Sequence, residues 1–529
     1  MPFRSPFPDV EIPHVTLYEL LFGSIAKDDL DRLAAIDAVS GAGTTYRSLL
    51  TDIDAIAGAL AARGVSVGEV VALHSPNSPA FVSVFHGILR AGATVTTVNS
   101  LSTGDDIARQ LTDSGARLLL TVSPLLAAAL AGARAAGLSP DQVIVLDGAE
   151  GHTSLNDLLT GGHPAPEISI DPATHLAVLP YSSGTTARPK GVMLTHQNLV
   201  ANVVQSAELI GVVPEDRVLA VLPFFHIYGM TVLLNLAVLR RATLVTMPRF
   251  ELADFLRTIA EHRCSYIFIA PPIALALAKH PLIDEYDLSS VHTVFSGAAP
   301  LDGGISKAVA ERLNCRVRQG YGMTEMSPVS HVVPLSATAI PLDSVGITLP
   351  NMECKLVDPA TGEEIPVPEF GVSEPGEVMC KGPNVMVGYL GNPEATAETL
   401  EDDGYLHTGD VATVSAEGYI TVVDRLKELI KYKGYQVAPA ELEAVLVSHP
   451  LIADAAVIAG HDTDGEEVPK AFVVLQQGAE LTGDEVIAYI ADRVAPHKKV
   501  RQVAMIDVIP KSASGKILRK DLRAAEVSA

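Results

Sequence analysis

The stretch Tyr181–His196 carries side chains that suit a phosphate-rich ligand. Its sequence is Tyr-Ser-Ser-Gly-Thr-Thr-Ala-Arg-Pro-Lys-Gly-Val-Met-Leu-Thr-His. Gly184 lets backbone amides approach a ligand, and Lys190 adds a positive charge. The hydroxyl groups come from Ser182, Ser183, Thr185 and Thr186. Together these groups predict a polyphosphate-binding loop, for which a polar surface loop is the alternative.

The spacing of this loop excludes a Walker motif. A Walker loop has two glycines that flank four residues, followed directly by Lys-Ser or Lys-Thr. Here five residues separate Gly184 from Lys190, and Pro189 fixes the backbone where a Walker loop already turns into its helix. The apolar run at residues 176–180 predicts a strand before the loop, and residues 195–203 predict the start of a helix. We therefore expect a strand-to-helix loop.

A second candidate binding stretch is Arg318–Val329, with the sequence Arg-Gln-Gly-Tyr-Gly-Met-Thr-Glu-Met-Ser-Pro-Val. The glycines on either side of Tyr321 leave room for a planar ring beside it. Thr324 offers a hydroxyl group to a phosphate, and Glu325 is a hard oxygen ligand of the kind that Mg²⁺ prefers. The stretch therefore predicts a nucleotide site with a metal ion beside it.

His226 lies among apolar residues in Val221–Met230, at a predicted strand-to-helix junction. The sequence there is Val-Leu-Pro-Phe-Phe-His-Ile-Tyr-Gly-Met. Taken alone, such a histidine is more often a hydrogen-bonded core residue than a catalytic one. Beside a phosphate loop it becomes a candidate for handling a substrate. Tyr228 adds a hydroxyl group that either meets a polar group of the substrate or belongs to an ordinary buried tyrosine.

Three charged residues in the later part of the chain could also do chemistry. Asp410 follows a glycine at the end of a Leu-His-Thr-Gly-Asp run, and its carboxylate is a possible hydrogen-bond acceptor. Arg425 belongs to the charged segment Asp424–Gln436, and Lys516 lies beside a glycine in Pro510–Arg519. A helix cap, a surface helix and a flexible surface lysine are the ordinary alternatives for these three sites.

In this order, the motifs resemble those of the adenylate-forming superfamily of acyl-CoA synthetases, adenylation domains and beetle luciferases, in particular the 4-coumarate:CoA ligases. The resemblance extends over nearly the whole chain, as far as Lys516. Ala187 departs from the pattern, which has glycine at that position of the phosphate loop. The resemblance implies an enzyme that converts a carboxylic acid, ATP and CoA into acyl-CoA, AMP and pyrophosphate, with Mg²⁺ accompanying ATP.

The resemblance also implies roles for individual residues. The catalytic residues would be Lys516, which stabilises charge at the α-phosphorus, His226, which orients the carboxylate, and Lys431 and Gln436, which contact the adenylate. ATP and AMP would be bound by Ser182, Ser183, Gly184, Thr185, Thr186, Lys190, Gln319, Gly320, Tyr321, Gly322, Thr324, Asp410, Arg425 and Lys516. Mg²⁺ would be held by Thr185 and Glu325. The hinge would be Lys427, and the CoA contacts would be Arg249, Lys433 and Gly434. The acid pocket would comprise Tyr228, Gly229, Phe295, Ala298, Gly320, Pro328 and Val329.

The expected acid is 4-coumarate or a related hydroxycinnamate or aryl acid. Phe295 is bulky for a long alkyl tunnel, and Tyr228 can meet a phenolic group. A medium- or long-chain fatty acyl-CoA ligase, an adenylation enzyme that loads a carrier protein, and an oxidase of the luciferase kind remain alternatives. A non-catalytic nucleotide-binding homologue is disfavoured because Lys516, Glu325 and His226 are all present.

The elements that must position these residues alternate between strands and helices. From about residue 45 to 150, and again from 217 to 296, continuous Val/Leu/Ile runs separated by helical patterns predict mainly parallel sheets covered by helices. Such sheets place ligands at the carboxyl ends of their strands. We therefore predict an α/β N-terminal domain, residues 1–424, with a Gly- and Pro-rich β-subdomain at about 340–424. A small mobile α+β lid domain would follow at 425–529.

Composition narrows the classes of function. The chain has 529 residues and a net charge of −24, which argues against nucleic-acid binding. Residues 425–529 hold 14 Lys+Arg against 15 Asp+Glu, so this part is relatively cationic, as a lid over phosphates should be. The four scattered cysteines show no CxxC spacing, which predicts neither a disulfide frame nor a zinc site and favours a cytoplasmic location. No apolar run is long enough for a membrane span, and we expect a monomer or homodimer.

Overall fold

The structure is a computed structural model, and it describes residues 2–182, 189–337, 340–433, 435–462, 466–513 and 515–527. Within these ranges, no helix combines the length and the apolar character needed to cross a membrane.

One sheet, called here the N-terminal sheet, is mainly parallel and has a separate apolar layer on each face. Ala72 and Leu119 point into one layer, whereas Val71 and Leu73 point into the other, as the alternation of a strand requires. Its strands, in spatial order, are Gly388–Tyr389, Lys190–Thr195, Leu176–Val178, Thr94–Thr97, Val70–Leu73, Leu118–Thr121 and Val143–Val145, with Tyr181–Ser182 paired to Lys190–Thr195. Its helices are Tyr46–Ala62, Pro79–Arg90, Gly104–Ser114, Leu126–Ala135, Leu155–Thr160 and His196–Ile210.

A second sheet, the large sheet, shares the central core with the first. Its middle strands are parallel, and antiparallel strands close both edges. In spatial order they are Ile347–Thr348, Val329–Val332, Arg316–Gly322, Thr293–Ser296, Tyr266–Ile269, Arg217–Ala220, Thr243–Thr246, Leu33–Asp37 and Gly43–Thr45. The helices of this part are Leu17–Phe22, the π-helix Tyr228–Asn235, Leu236–Leu239, Leu252–His262, Pro271–Lys279 and Gly303–Leu313.

A third sheet, the antiparallel sheet, is formed largely by the Gly- and Pro-rich part of the chain. Its outer strand comes from the N-terminus, because Phe3 pairs with Cys354. In spatial order the strands are Phe3–Arg4, Glu353–Val357, Gly376–Lys381, Leu406–Val414 and Ile420–Arg425, with Glu364–Ile365 beside Glu353–Val357. The helix Pro393–Thr399 belongs to this part. The inward side chains join the central core.

The C-terminal segment, residues 425–529, has its own hydrophobic cores, one of which includes Ile430, Leu442 and Val473. Its strands form the hairpin Ile430–Tyr432 and Tyr435–Val437 and the sheet Ile452–His461, Glu467–Leu475 and Gln502–Met505. Its helices are Pro439–Val447, Gly483–Ala491 and Arg519–Val527. Short 3₁₀ turns across the chain are Lys27–Asp29, Ser123–Leu125, Pro140–Gln142, Pro281–Glu285, Thr324–Met326 and Pro496–Lys498.

The prediction that the whole stretch 181–196 is a strand-to-helix loop is wrong in its second half, because Lys190–Thr195 is a strand that pairs antiparallel with Tyr181–Ser182. The predicted helix start at 195–203 is confirmed: the helix begins at His196, and the hydroxyl of its N-cap Thr195 accepts a hydrogen bond from the Asn198 amide. The strand was missed because its apolar run is short and leads directly into the helix.

Candidate functional site

A cleft of about 1480 Å³ lies where the C-terminal segment meets the strand ends of the N-terminal part. Residues 97–113 and Phe225 form one side of it, and Gly409 and Ser512 line another. The structure brings into its lining these residues predicted from the sequence: Ser182, Lys190, His226, Thr324, Glu325, Arg425, Lys427 and Lys516.

The Glu325 carboxylate is held at the wall of the cleft by two hydroxyl groups. Ser182 Oγ donates to Glu325 Oε1 at 3.2 Å, and Tyr389 Oη donates to the same oxygen at 2.8 Å. The Lys190 ammonium lies over the Tyr389 ring, 4.7 Å from its centroid. Glu325 is 5% exposed and still lines the cleft, so a hard carboxylate faces the space in which a polyphosphate would lie.

A second carboxylate, Asp410, is paired on both of its oxygens. Tyr321 Oη donates to Asp410 Oδ2 at 2.6 Å, and Arg425 Nε lies 3.2 Å from Asp410 Oδ1. Asp410 raises the pKa of Arg425, and burial together with Asp410 raises the pKa of Tyr321 well above its usual range. Strands from two different sheets therefore meet at a buried acceptor at the edge of the cleft.

Lys516 enters the cleft from the C-terminal segment. A turn positions it, because Ser512 Oγ accepts a hydrogen bond from the Lys516 amide at 3.1 Å. The preceding Gly515 has φ +84°, and a Cβ there would lie 3.1 Å from Ala270 of the large sheet. Burial and the positive charge of Arg425 lower the pKa of Lys516 to about 8, against the opposing effect of nearby carboxylates.

His226 faces the same space and is neutral at physiological pH. Burial and the Lys516 ammonium lower its pKa to about 3. Its Nδ1 accepts a hydrogen bond from the Tyr228 amide at 3.3 Å, at the first residue of a π-helix. A neutral imidazole at this position can orient a carboxylate without adding charge.

Tyr228 and Phe295, which are predicted to belong to the acid pocket, are buried aromatic residues near His226 and are not part of the cleft lining. Tyr228 Oη donates to the Phe295 carbonyl at 3.3 Å, and a Cβ at Gly320 would lie 2.8 Å from the Phe295 ring. Ala298 adopts φ +72°, a left-handed conformation that costs an alanine free energy. Close backbone contacts surround these residues: Gly229 packs on the Pro223 carbonyl, Gly322 packs on the Pro328 carbonyl, and the Val329 amide donates to Asn202.

Some predicted residues lie away from the cleft. Lys431 and Gln436 face each other across the hairpin of the C-terminal segment and are exposed. Lys433 and Arg249 are also exposed. The Gln319 amide is hydrogen bonded to the backbones of Leu301 and Leu342 and is 3% exposed, so in this structure it supports two loops. Of the other predicted residues, Ser183, Gly184, Thr185, Thr186 and Gly434 lie outside the described residues.

Asp424 connects the antiparallel sheet to the C-terminal segment. It is the residue before Arg425 in the last strand, and its Oδ2 accepts a hydrogen bond at 2.8 Å from the amide of Ala440 in the helix Pro439–Val447. Arg519 carries a positive charge near this carboxylate and is paired with Glu443 at 2.7 Å. A side chain of the sheet thus caps a helix beyond the predicted hinge.

Sequence reasoning missed several polar residues of the cleft. Tyr389 donates to Glu325, and Tyr181, which precedes the predicted phosphate loop, donates to Asp113. His407 bonds to Glu377, and both line the cleft. Tyr389 follows a glycine in a very short strand, which gave no signal of its own. Its role depends on pairing with the strand that follows the phosphate loop, because Tyr389 lies opposite Val192.

Comparison with known proteins shows which protein families this chain resembles. A sequence-family profile described as AMP-binding enzyme matches residues 23–390, and the profile for the C-terminal domain of such enzymes matches residues 441–516. The protein named 4-coumarate--CoA ligase 5 from Oryza sativa subsp. japonica is 41% identical, over 99% of this chain and 97% of its own length.

Solved structures agree with the fold over nearly the full length. The anthranilate CoA ligase AuaEII, in complex with anthranoyl-AMP, has a TM-score of 0.88 at 25% identity and covers 98% of each chain. ATP-bound MatB from Rhodopseudomonas palustris has a TM-score of 0.87 at 28% identity, over 97% of this chain and 99% of its own. The apo form of the same protein has a TM-score of 0.76. The predicted fold class is confirmed.

Proposed function

Because the chain belongs to the family of AMP-binding enzymes, we propose that it is an ATP-dependent acid:CoA ligase that acts on a hydroxycinnamate or related aryl acid through an acyl-adenylate. The observation that carries the proposal is the meeting of Lys516 with His226, Thr324, Glu325 and Arg425 around one cleft. Four parts of the chain that are far apart in sequence there provide two cations, a neutral histidine, a hydroxyl group and a carboxylate.

In the first half-reaction, a carboxylate oxygen of the acid attacks the α-phosphorus of ATP, and pyrophosphate leaves. The Lys516 ammonium stabilises the charge that develops on the α-phosphate oxygens. The ribose hydroxyls bind at Asp410, with Arg425 beside it. The pairing of Tyr321 with Asp410 supports this role, because it holds the acceptor in a fixed position before the nucleotide arrives.

The residues fit the Mg²⁺ that accompanies ATP. Glu325 would hold it, because its carboxylate lines the cleft and is oriented by Ser182 and Tyr389, and Thr185 is the second proposed ligand. When bound, Mg²⁺ offsets the negative charge of the phosphates. The protein contributes the orientation of the carboxylate and the nearby Lys190.

In the second half-reaction, the thiol of CoA attacks the acyl carbonyl, and AMP leaves. We propose that the C-terminal segment is a lid that rotates about Lys427, withdraws Lys516 and brings Lys431, Gln436, Lys433 and Gly434 to the adenylate and CoA. The exposed positions of Lys431, Gln436 and Lys433 are consistent with a first-step conformation. The higher TM-score to ATP-bound than to apo MatB supports the same assignment. Arg249 is the proposed contact of the CoA nucleotide.

An aromatic layer supports an aryl acid. Tyr228, Phe295 and Phe268 pack together, with ring centroids 6.4 Å apart for Tyr228–Phe268 and 5.5 Å apart for Phe268–Phe295. Flat rings stack well on such walls, whereas a long alkyl chain needs an open tunnel. The proposal extends to a cytoplasmic enzyme with a domain boundary at residues 424–425.

The experiment that tests this function measures AMP formation with ATP, Mg²⁺ and a panel of acids, each with and without CoA. The panel contains 4-coumarate, cinnamate, benzoate, octanoate and palmitate. We expect CoA-dependent AMP and a thioester with 4-coumarate or cinnamate. If only the aliphatic acids give thioesters, the proposed aryl pocket is wrong, but the proposed ligase chemistry stands. Pyrophosphate exchange without any thioester would contradict the CoA step.

A further inference from the structure

Three side chains with metal-binding atoms meet inside the protein, away from the cleft lining. His331 lies on the strand Val329–Val332, the second strand from one edge of the large sheet, and Cys354 and Cys380 lie on neighbouring strands of the antiparallel sheet. Each has an exposure of 0%, and one ligand atom from each lies within 4.8 Å of the other two. Two sheets therefore converge on one buried cluster.

The distance between the two cysteine sulfur atoms is close to the distance between two thiolates bound to one metal ion. Cys354 and Cys380 are direct partners in the antiparallel register, and their Sγ atoms are 3.6 Å apart. Two thiolates at about 2.3 Å from a tetrahedrally coordinated ion lie roughly 3.8 Å apart. A disulfide needs a separation of about 2.05 Å. An ion could thus enter with little movement of either strand.

Both ring nitrogens of His331 lie within hydrogen-bond distance of a hydroxyl group. Ser330 Oγ lies 2.9 Å from His331 Nδ1, and Thr348 Oγ1 lies 3.3 Å from His331 Nε2. When one nitrogen binds an ion, the hydroxyl at the other nitrogen fixes the ring. An ion that binds the other nitrogen would displace the hydroxyl that lies there.

From this cluster we propose a buried site for one thiophilic ion, Zn²⁺ or Cu⁺, held by His331, Cys354 and Cys380. Two thiolates and an imidazole are soft or borderline ligands that select these ions over Mg²⁺. Two thiolates also balance the charge of Zn²⁺, which makes burial possible. The site is separate from the Mg²⁺ that accompanies ATP. The ion site itself does not rest on the proposed function, whereas its expected effect on ATP binding does.

The position of the cluster gives the ion a role in holding the nucleotide site. The His331 ring lies beside Tyr321, with centroids 5.7 Å apart, and Tyr321 donates to Asp410. An ion that links the large sheet to the antiparallel sheet would fix the distance between Tyr321 and Asp410, which come from the same two sheets. We expect its loss to weaken ATP binding and to lower the melting temperature.

The test counts metal ions in the full-length protein. The protein is unfolded with chelator and reductant, refolded anaerobically with Zn²⁺ alone or Cu⁺ alone, desalted and analysed by elemental mass spectrometry. We expect about one ion per chain, fewer in Cys354→Val, Cys380→Val and His331→Gln, and an unchanged count in the control Cys315→Ala, whose thiol lies outside the cluster. Refolding with Co²⁺ should give a thiolate-to-metal absorption band that Cys354→Val lacks.

Each outcome decides for or against the site. No bound ion in the refolded wild type with either metal would overturn the proposal. An ion count that Cys354→Val, Cys380→Val and His331→Gln all retain would also overturn it, because the ion would then lie elsewhere. If one variant fails to refold, as judged by circular dichroism, the other two and the Co²⁺ spectrum still decide. A count near one for Zn²⁺ and near zero for Cu⁺, or the reverse, identifies the ion.

Discussion

The two halves of the cleft are built differently. On the side of the sheets, Tyr321 and Asp410 lie on strands and Glu325 lies on a 3₁₀ turn, and all three are held by hydrogen bonds to one another or to neighbouring hydroxyls. On the side of the C-terminal segment, Lys516 is delivered by a short turn, whereas Lys431 lies exposed on a hairpin outside the cleft.

We expect this difference to separate nucleotide binding from the choice of half-reaction. The sheet side offers the same groups at every step, so it should determine how tightly the nucleotide is held. In the proposed lid rotation, the position of the C-terminal segment decides which of its charged residues is in the cleft, so it should determine which half-reaction runs. Variants on the two sides should therefore differ in which kinetic parameter they change.

The largest effect is expected for Lys516→Ala. Loss of a preorganised cation at the α-phosphate should slow adenylation by roughly 10²–10³-fold. The rate of thioester formation from supplied acyl-AMP should stay near that of wild type, because Lys516 is withdrawn in that step. Lys520→Ala, which removes an exposed lysine of the same segment, is the matched control. Equal losses in both half-reactions would remove the distinction between the two sides.

Asp410→Asn should affect binding on the sheet side. Tyr321 and Arg425 lose a charged partner, and the ribose loses its acceptor, so the KM for ATP should rise by about 10–100-fold. The kcat at saturating ATP should change much less. Steady-state kinetics give both values, and Asp402→Asn at an exposed position serves as control. A fall in kcat with an unchanged KM would place Asp410 in the chemistry instead.

The pH profile tests the charge on Lys516. Its pKa is lowered to about 8, so the ammonium is present below that pH and is lost as the pH rises through it. The kcat/KM for ATP in the pyrophosphate exchange reaction should therefore fall about tenfold for each pH unit above 8. Lys516→Arg should be slower but flat from pH 7 to 9, because guanidinium keeps its proton. A parallel decline in this variant would assign the titration to another group.

The smallest effects are expected for Lys431→Ala and Gln436→Ala. Both side chains are exposed in this conformation, so the first turnover of adenylation should be near the wild-type rate. Thioester formation should slow by about fivefold for each lost hydrogen bond to the adenylate. Rapid-quench measurements of the two steps check this result. A larger loss in adenylation would mean that these residues act before the lid rotates.

Much of the cleft was predictable because its residues sit at strand ends in local motifs. Glu325 and Thr324 lie within a few residues of a glycine pair, and His226 follows a buried strand, so short stretches of sequence carried the signal. The predicted runs at 70–74 and 93–98 correspond to the strands Val70–Leu73 and Thr94–Thr97. Site roles and the exact domain boundary stay predictions.

The remaining features depend on contacts between distant strands. Cys354 and Cys380 are 26 residues apart, and only the register of two antiparallel strands makes them partners. Their scattered spacing contains no local motif, so the sequence predicts no zinc site, and the proposed ion site rests on the strand register that brings the two thiols together. The contacts of Tyr389 with Glu325 and of Phe3 with Cys354 likewise depend on the order of the strands in the sheets. Hydrophobic periodicity along the chain does not reveal that order.

The hydrogen bond from the Ala440 amide to Asp424 has a consequence for timing. In the proposed rotation about Lys427, Asp424 stays with the antiparallel sheet while Ala440 moves away, so this bond must open once in every catalytic cycle. A hydrogen bond to a carboxylate is worth about 1.5–3 kcal/mol, on the order of 10–150-fold in the populations of the two lid positions. Asp424, a carboxylate outside the cleft, can thus set how long the acyl-adenylate, which is a reactive mixed anhydride, is protected from water before the CoA thiol arrives.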